Sequence, residues 1–182
     1  MKITRKKTIM AGLLCAGLYA IPLLTINGDL FMEPDGLKGE SVVPGYEGWI
    51  EIDSFQFGAG VGISSPISGK DRESSAPSLS EITVTKQSDS TSVSFFSRLT
   101  QGPAFPQVRF VMRDGSGSRI FRFILQDVLV SGYSMSTGGG IPTESLSLNY
   151  VILTVEHYAP DGKGGEILTG SATWNIATNS TK

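Results

Sequence analysis

The chain has 182 residues, with fifteen basic and seventeen acidic side chains, one histidine, one cysteine and a formal net charge of −2 at pH 7. This balance lacks the electrostatic signature of a nucleic-acid-binding protein. One cysteine and one histidine exclude an internal disulfide and a metal cluster built from thiolates or imidazoles, so we expect no cofactor and no metal.

The first 26 residues have the pattern of a secretory signal peptide or an N-terminal anchor. Four basic residues and no acidic residue lie there, and an apolar run extends from Thr8 to Ile26. A positive start before an apolar run is typical of a secretory signal, although the run is close to the roughly 20 residues of a spanning helix. We therefore expect residues 27–182 to form one exported domain that meets a membrane only through residues 1–26, if these are not cleaved.

Apolar and polar residues alternate with a period of two along most of the remaining chain. The first such strand, around Leu30 and Met32, ends at the turn signal of residues 34–36. The apolar phase then changes near Asp53, which predicts a bulge or a strand covered on both faces. Further strands are predicted around residues 82–85, 108–113, 120–130, 146–152 and 166–178, and Asp161-Gly162 predicts the turn before the last of them. Seven or eight strands with glycine turns predict a mainly β fold, an antiparallel barrel or two-sheet sandwich.

One helix is predicted after Asp89. Residues 89–91 offer side-chain oxygens for a helix N-terminus, and Gly102-Pro103 ends the pattern. We expect the helix to pack at the side of the barrel through its apolar stripe. The stripe consists of Val93, Phe96, Leu99 and Thr100.

Residues 59–80 separate two predicted strands and are rich in Gly, Ser and Pro. A connection of about twenty residues is uncommon in a compact domain and is usually functional or disordered. This segment is therefore a candidate functional loop.

The polar residues do not form a recognisable catalytic site. His157 lies on a predicted strand without a marked nucleophile or orienting carboxylate, so we interpret it as a structural or surface residue. Glu51 and Asp53 share one strand face, as paired acids for catalysis would, but a solvated or interface face is the simpler interpretation. Residues 138–140, three glycines, precede a strand and lack the Lys-Ser/Thr of a phosphate loop, so they predict a turn. We expect no catalytic residue and no enzyme.

Five segments in order carry a resemblance to a known family. They are DLFMEPDGLKGES (29–41), WIEIDSFQFG (49–58), SEITVTKQSDSTSVSFFSRLTQG (80–102), FRFILQDVLVSGYSMSTGGGIPTESLSLNYVILTVEHYAPDGKGG (121–165) and WNIATN (174–179). Together they resemble the Hcp family, the haemolysin-coregulated proteins that build the inner tube of the type VI secretion system. The resemblance covers nearly all of residues 27–182.

The resemblance implies a small barrel of two β-sheets with one helix at its side, and subunits that join into a homohexameric ring. Rings of this family stack into a tube inside a contractile sheath, below a spike, and the lumen holds effector cargo. Self, sheath, spike and effectors are therefore the implied partners, with no nucleic acid. The loop at residues 59–80 takes part in ring stacking in the family. The implied stacking residues are Gly62, Ile63, Ser64, Ser65, Pro66, Ile67, Ser68 and Gly69.

The N-terminal segment departs from the family pattern. Tube subunits assemble in the cytoplasm and leave through the secretion machine, so they need no signal peptide. If the true start lies downstream, we expect a cytoplasmic protein secreted by that machine. If residues 1–26 are used, the alternative is an exported periplasmic or membrane-tethered Hcp-like binding or scaffold module outside the tube.

Overall fold

The computed structural model describes residues 28–63 and 75–181. Within these ranges the chain forms twelve strand segments and one helix, α1 (Ser92–Gln101). The strands are β1 (Leu30–Pro34), β2 (Ile50–Glu51), β3 (Ser54–Gln56), β4 (Ala59–Gly60), β5 (Ser78–Leu79), β6 (Ile82–Gln87), β7 (Phe105–Arg113), β8 (Arg119–Ser136), β9 (Thr143–Asn149), β10 (Ile152–Pro160), β11 (Glu166–Asn175) and β12 (Ser180–Thr181). The prediction of a mainly β fold with one short helix is confirmed.

Two antiparallel sheets share the long strand β8. In sheet A the strands follow the order β12-β11-β10-β8-β7-β1-β2. In sheet B, β3 pairs with β6, β6 with β9, and β9 with the second half of β8. A register shift between Val130 and Gly132 marks a β-bulge on β8. β8 passes from sheet A into sheet B just before this bulge, since Val128 pairs with Phe105 in sheet A and Leu129 pairs with Asn149 in sheet B.

The change of apolar phase near Asp53 marks a second transfer between the sheets. β2 pairs with β1 in sheet A, whereas β3 pairs with β6 in sheet B. The backbone N–H of Ile52 donates to the carbonyl of Leu30 at 3.0 Å, and the next N–H, of Asp53, donates to Thr85 at 2.7 Å. Consecutive residues thus bond to different sheets, and this transfer explains the change of apolar phase. The sequence alone was compatible with either a bulge or a strand covered on both faces.

The core lies between the two sheets. Met32, Phe110 and Leu125 of sheet A face Ile82, Val84, Leu146 and Leu148 of sheet B, and all are buried. The predicted inward positions Leu146, Leu148, Tyr150 and Ile152 are buried as well. They belong to two strands, however, because β9 ends at Asn149 and β10 begins at Ile152.

The helix is present, but the predicted packing stripe is wrong. Val93 is 77% exposed and Phe96 is 52% exposed, while Leu99 and Thr100 also lie on the exposed side. The buried side chains of α1 are Ser92 and Phe95. Phe95 contacts Phe105 with ring centroids 6.0 Å apart. Phe95 and the polar contacts of the first turn therefore anchor the helix, and from the expected stripe the half-exposed Phe96 contacts Tyr133 of β8 edge-on with ring centroids 6.0 Å apart.

The predicted turns are confirmed. Gly36, Gly139 and Gly162 have φ values of 77°, 108° and 74°, which side chains rarely adopt. Asp161 Oδ1 accepts hydrogen bonds from the N–H groups of Lys163 and Gly165 at 2.7 and 2.8 Å, and this fixes the turn between β10 and β11. The glycines at 138–140 connect β8 to β9 as an exposed turn.

Candidate functional site: the open strand edge and the exposed arm

The strand β11 is exposed over most of its length. Every residue from Glu166 to Ala172 is exposed, so neither face of this strand section is covered. On one edge β11 pairs with β10. On the other edge β12 pairs only with Trp174 and Asn175, and residues 166–173 have no strand partner within the described ranges. The backbone groups on this side are open to another chain.

The open edge carries two apolar side chains. Ile167 and Leu168 are each 52% exposed, opposite Ala159 and Tyr158 on β10. Strand edges with uncovered apolar residues are templates for pairing with another chain, and soluble proteins normally protect them. Residues 166–175 contain neither a proline nor a lysine, and the protection that this edge does have is a β-bulge, where the register with β10 shifts between His157 and Tyr158.

Ion pairs on sheet A hold the exposed ribbon of β10 and β11 in place. The backbone N–H of Arg119 donates to Glu166 Oε1 at 2.6 Å, and its guanidinium lies 2.9 Å from Oε2. Arg119 also lies over the ring of Tyr158, 4.0 Å from the centroid. On the neighbouring pair, the hydrogen bond from Arg122 lowers the pKa of Glu156, although burial opposes this. The edge is therefore presented by a fixed ribbon.

The candidate stacking segment has an ordered base. The prediction of a connection without regular structure is wrong for its two ends, since β4 pairs with β5 as a small separate sheet. The N–H of Ser75 donates to the carbonyl of Gly62 at 2.8 Å, and the N–H of Gly62 donates to Ser75 Oγ at 2.9 Å. Residues 59–63 are exposed, with Val61 and Ile63 among the exposed apolar side chains. We call residues 59–63 and 75–79 the arm.

Only two of the named stacking residues can be placed. Gly62 and Ile63 lie at the distal part of the arm. The others, Ser64, Ser65, Pro66, Ile67, Ser68 and Gly69, lie outside the described residues.

A buried ion pair anchors the start of α1 to sheet B. Lys86 Nζ lies 3.1 Å from Glu144 Oε2, and both side chains have 0% exposure. The ammonium also donates to the carbonyl of Gln87 at 2.8 Å and to Asp89 Oδ1 at 2.9 Å. Glu144 Oε1 accepts from the hydroxyls of Ser88 and Tyr133 at 2.5 and 3.2 Å. Both charges are thus paired and hydrogen-bonded, as burial requires.

This network sets the ionisation of the buried acid. Burial alone would raise the pKa of Glu144, but the hydroxyl hydrogen bonds and the Lys86 ammonium outweigh it, so the pKa is lowered from 4.5. The residues at the helix start also act here, because Asp89 Oδ1 accepts from the N–H of Thr91 at 2.8 Å. Asp89 therefore binds the backbone just before the helix, but the N-cap residue Thr91 makes no side-chain capping hydrogen bond, so the predicted capping by residues 89–91 is met only in part.

Among the polar residues weighed for catalysis, His157 lies apart from Glu51 and Asp53. His157 Nδ1 is 2.6 Å from Thr169 Oγ1 on the exposed ribbon, and its ring contacts Phe121 edge-on. Glu51 and Asp53 are exposed and line a cavity of about 350 Å³ together with Glu40 and Asp89. Within residues 28–63 and 75–181, no group of three or more histidines, cysteines and acids is arranged to hold a metal ion. In the same ranges, no helix is long and apolar enough to cross a membrane.

Sequence reasoning missed the open edge. The strand predicted at residues 166–178 is present as Glu166–Asn175, but alternation cannot show whether a strand is central or at an edge. A weak signal was present: the run EILTGSAT places two apolar residues side by side and contains a glycine, so no single face is apolar.

Comparison with known proteins agrees with this fold. A family model described as "Type VI secretion system effector, Hcp" matches residues 31–157. A solved type six secretion system protein is 29% identical, covers 86% of this chain and 100% of its own, and superposes with a TM-score of 0.77. No curated protein sequence matches the chain.

Two further structures share the fold at lower identity. Hcp1 from Salmonella typhimurium is 22% identical over 85% of this chain and 99% of its own, with a TM-score of 0.70. A type VI secretion system effector from Yersinia pestis is 19% identical over 81% of this chain and 100% of its own, with a TM-score of 0.66. Since the family model spans well over half of the sequence, the chain belongs to the Hcp family, the tube proteins of the type VI secretion system.

Proposed function

We propose that this protein is a structural subunit that closes into a homohexameric ring through the open edge of β11. The observation that carries the proposal is a strand exposed on both faces and along residues 166–173 of its outer edge. A two-stranded ribbon is marginally stable in water unless more strands or a packed face support it. Pairing with another copy would supply both.

The ring would form by head-to-tail contact. An edge that binds a different surface of the next copy generates a ring when the rotation closes, and no open edge then remains. The ion pair between Arg119 of β8 and Glu166 of β11 fixes the ribbon to sheet A, so the direction of the ribbon relative to the barrel is set before assembly. Such pre-organisation reduces the entropy lost on association.

We further propose that the arm joins one ring to the next through Gly62–Gly69. The arm is a separate two-stranded sheet whose described residues are largely exposed. Val61 and Ile63 give it apolar contact area without a partner in the described part of the chain. Sheath, spike and effector proteins are the further partners in this proposal, the protein leaves the cell through the type VI machine, and no residue has a catalytic role.

Charged substitutions on the edge of β11 test whether this edge closes the ring. The double variant Ile167→Lys/Leu168→Lys places two ammonium groups on the edge, which blocks edge pairing. Ile141→Lys, at a residue that is 67% exposed, is the matched control. Light scattering is expected to give rings for the wild type and for Ile141→Lys, and monomers for the double variant. A wild type that stays monomeric would contradict ring formation, and rings formed by the double variant would place the contact elsewhere.

Stacking is tested by replacing residues 62–75 with a short Gly-Ser linker. Rings should persist, because surface loops contribute little to domain stability. Tubes should be lost, because the linker offers no apolar contact to the next ring. Electron microscopy at equal protein concentration distinguishes the two, and tubes in the linker variant would exclude the arm from stacking.

The alternative of an exported or membrane-tethered module rests on the pattern of residues 1–26. Mass spectrometry of the mature N-terminus, with the cell fraction that contains it, separates the alternatives. A start downstream of Ile26 in the cytoplasm supports the tube subunit. A processed periplasmic form, or an intact membrane-bound form, supports the module.

A further inference from the structure

The outer side of sheet A holds a cavity of about 330 Å³ that is lined by arginines and aromatic side chains. Arg109 on β7 and Arg119 and Arg122 on β8 supply three positive charges, and no acid in the described part of the chain lines the cavity. We call it the arginine cavity. A positively charged lining stands out in a chain whose net charge is −2. The remaining lining residues are Gly45, Tyr46, Trp49 and Val111.

The aromatic wall of the arginine cavity is held in place by the sheet beneath it. Tyr46 stacks on Phe31 of β1 with ring centroids 4.5 Å apart, and Trp49 meets Tyr46 edge-on at 5.2 Å. The N–H of Ser41 donates to the carbonyl of Trp49 at 3.0 Å, which ties the segment together. Tyr46 and Trp49 are only partly buried, so both offer ring surface to a ligand. Because this wall is already formed, little conformational freedom is lost on binding.

Each arginine of the cavity is oriented by an acid that does not itself line the cavity. A guanidinium has five N–H donors and no acceptor, so one carboxylate leaves donors free for a further partner. The ion pairs therefore fix the direction of the guanidinium groups without filling the space in front of them. The pairs are Arg109 with Glu33, Arg119 with Glu166 and Arg122 with Glu156, at nitrogen–oxygen distances of 2.7, 2.9 and 2.5 Å.

Arg109 has a hydrogen-bond donor that is not satisfied. Its Nε is buried and has no hydrogen-bond partner among the described residues, whereas its Nη2 contacts Glu33. A buried donor without an acceptor costs free energy. The side chain as a whole is 37% exposed, so a small rotation would bring this donor to an acceptor in the cavity. The geometry therefore favours a ligand that brings hydrogen-bond acceptors.

The surrounding charges favour a single carboxylate over a long polyanion. Glu33, Glu156 and Glu166 stand beside the three arginines, so a run of phosphates would meet these acids as well as the cavity. A carboxylate matches the guanidinium fork through two parallel hydrogen bonds. The rings of Tyr46 and Trp49 suit an aromatic group next to that carboxylate. Tryptophan, tyrosine and arginine are also the residues that contribute most to binding between proteins.

We propose that the arginine cavity binds an acidic segment of another polypeptide, in which a carboxylate lies next to an aromatic side chain. The carboxylate bonds to Arg109 and Arg122, and the aromatic ring packs on Trp49. All lining residues belong to one copy of the chain, so this inference goes beyond the proposed ring and does not depend on it. Because the arginines are partly exposed, added salt should weaken the binding.

The fluorescence of Trp49 measures whether the cavity is occupied. Full-length protein with Trp174→Phe keeps Trp49 as its one tryptophan. The probes are a blocked tetrapeptide that alternates phenylalanine and glutamate, the same peptide with glutamine for glutamate, and inorganic phosphate. The glutamate peptide should shift the emission saturably, and the other two should bind at least about tenfold more weakly. Equal binding of the glutamine peptide would overturn the role of the carboxylate. Equal binding of phosphate would show a general anion site and overturn the peptide proposal.

Arginine variants of the same protein locate the binding. Arg109→Gln and Arg122→Gln should each weaken binding of the glutamate peptide at least about tenfold. Arg98→Gln removes the same charge beside another cavity, at the end of α1, and should leave binding unchanged. Arg109→Lys keeps the charge but loses the fork, so it should also bind more weakly while circular dichroism shows an intact fold. Unchanged binding in the Arg109 and Arg122 variants, or an equal loss in Arg98→Gln, would overturn the inference.

Discussion

The two sheets place their charges in opposite positions. Sheet A has an apolar inner side, and its ion pairs lie outside, as between Arg122 and Glu156 and between Arg119 and Glu166. Sheet B has a neutral outer face, and its ion pair, between Lys86 and Glu144, is fully buried. The difference is that the charges of sheet A remain available to other proteins, whereas those of sheet B serve the fold.

This comparison separates stability from assembly. A buried pair is costly to break because the remaining charge has no water, whereas exposed pairs contribute little. Changes inside sheet B should therefore affect folding, and changes outside either sheet should affect what the ring contacts.

The largest expected effect is at the helix that connects the two sheets. α1 packs on β8, and Phe95, with 0% exposure, contacts Phe105 of sheet A. Phe95→Ala should reduce the free energy of unfolding by roughly 3–5 kcal/mol, through lost burial and a cavity. Phe96→Ala, on the exposed side of the same helix, is the control and should cost far less. Denaturant unfolding measures both, and equal losses would contradict the observed packing.

Next is the contrast between inner and outer ion pairs. Glu144→Gln should cost up to about 3 kcal/mol because the buried Lys86 loses its fully buried carboxylate partner and keeps only Asp89 as a counter-charge. Glu156→Gln removes the partner of Arg122 at the surface and should cost less than ~1 kcal/mol. Thermal unfolding of the two variants side by side checks this. A larger loss for Glu156→Gln would reverse the roles assigned to the two sheets.

The pH dependence of stability should show the contribution of the buried carboxylate of Glu144. The pKa of Glu144 is lowered from 4.5, so the native state holds this carboxylate ionised more strongly than the unfolded state does. Its contribution to stability is present above that ordinary value and is lost as the pH falls through the lowered pKa. The slope of stability against pH below about 4.5 should therefore be shallower in Glu144→Gln than in the wild type. Parallel slopes in urea unfolding would contradict this.

The smallest expected effect on folding is at Ser145, on the outer face of sheet B. Ser145→Lys should change the free energy of unfolding by less than ~0.5 kcal/mol, because a partly exposed surface position tolerates substitution. Ser145→Leu is the matched uncharged control. A loss above that range, measured by denaturant unfolding, would show that Ser145 serves the fold.

The mainly β fold could be predicted from the sequence because the turn signals and the alternation of apolar residues both agree with the final structure. The Asp161-Gly162 and Asp35-Gly36 turns and the alternation through Leu146 and Leu148 each predicted what the structure shows. The helix stripe failed because neighbouring positions Phe95 and Phe96 are both aromatic. Periodicity alone cannot decide which of two such residues enters the core, since the barrel surface beneath them makes that choice.

The candidate site was harder to predict because it is defined by the lack of a strand partner along the outer edge of β11 at residues 166–173 in the described part of the chain. The open edge of β11 follows from the order of strands in sheet A, which pairs residues far apart in the chain. The polar outer face of sheet B was visible in sequence only as scattered Ser and Thr between apolar residues. Its continuity arises from the register of β3, β6, β9 and β8, which alternation does not determine.

The most direct test of this account is a cryo-electron microscopy structure of the assembled protein. The account predicts a closed ring in which residues 166–173 of β11 pair with a neighbouring copy. A ring closed through other surfaces, or an assembly in which the edge of β11 remains open, would contradict it.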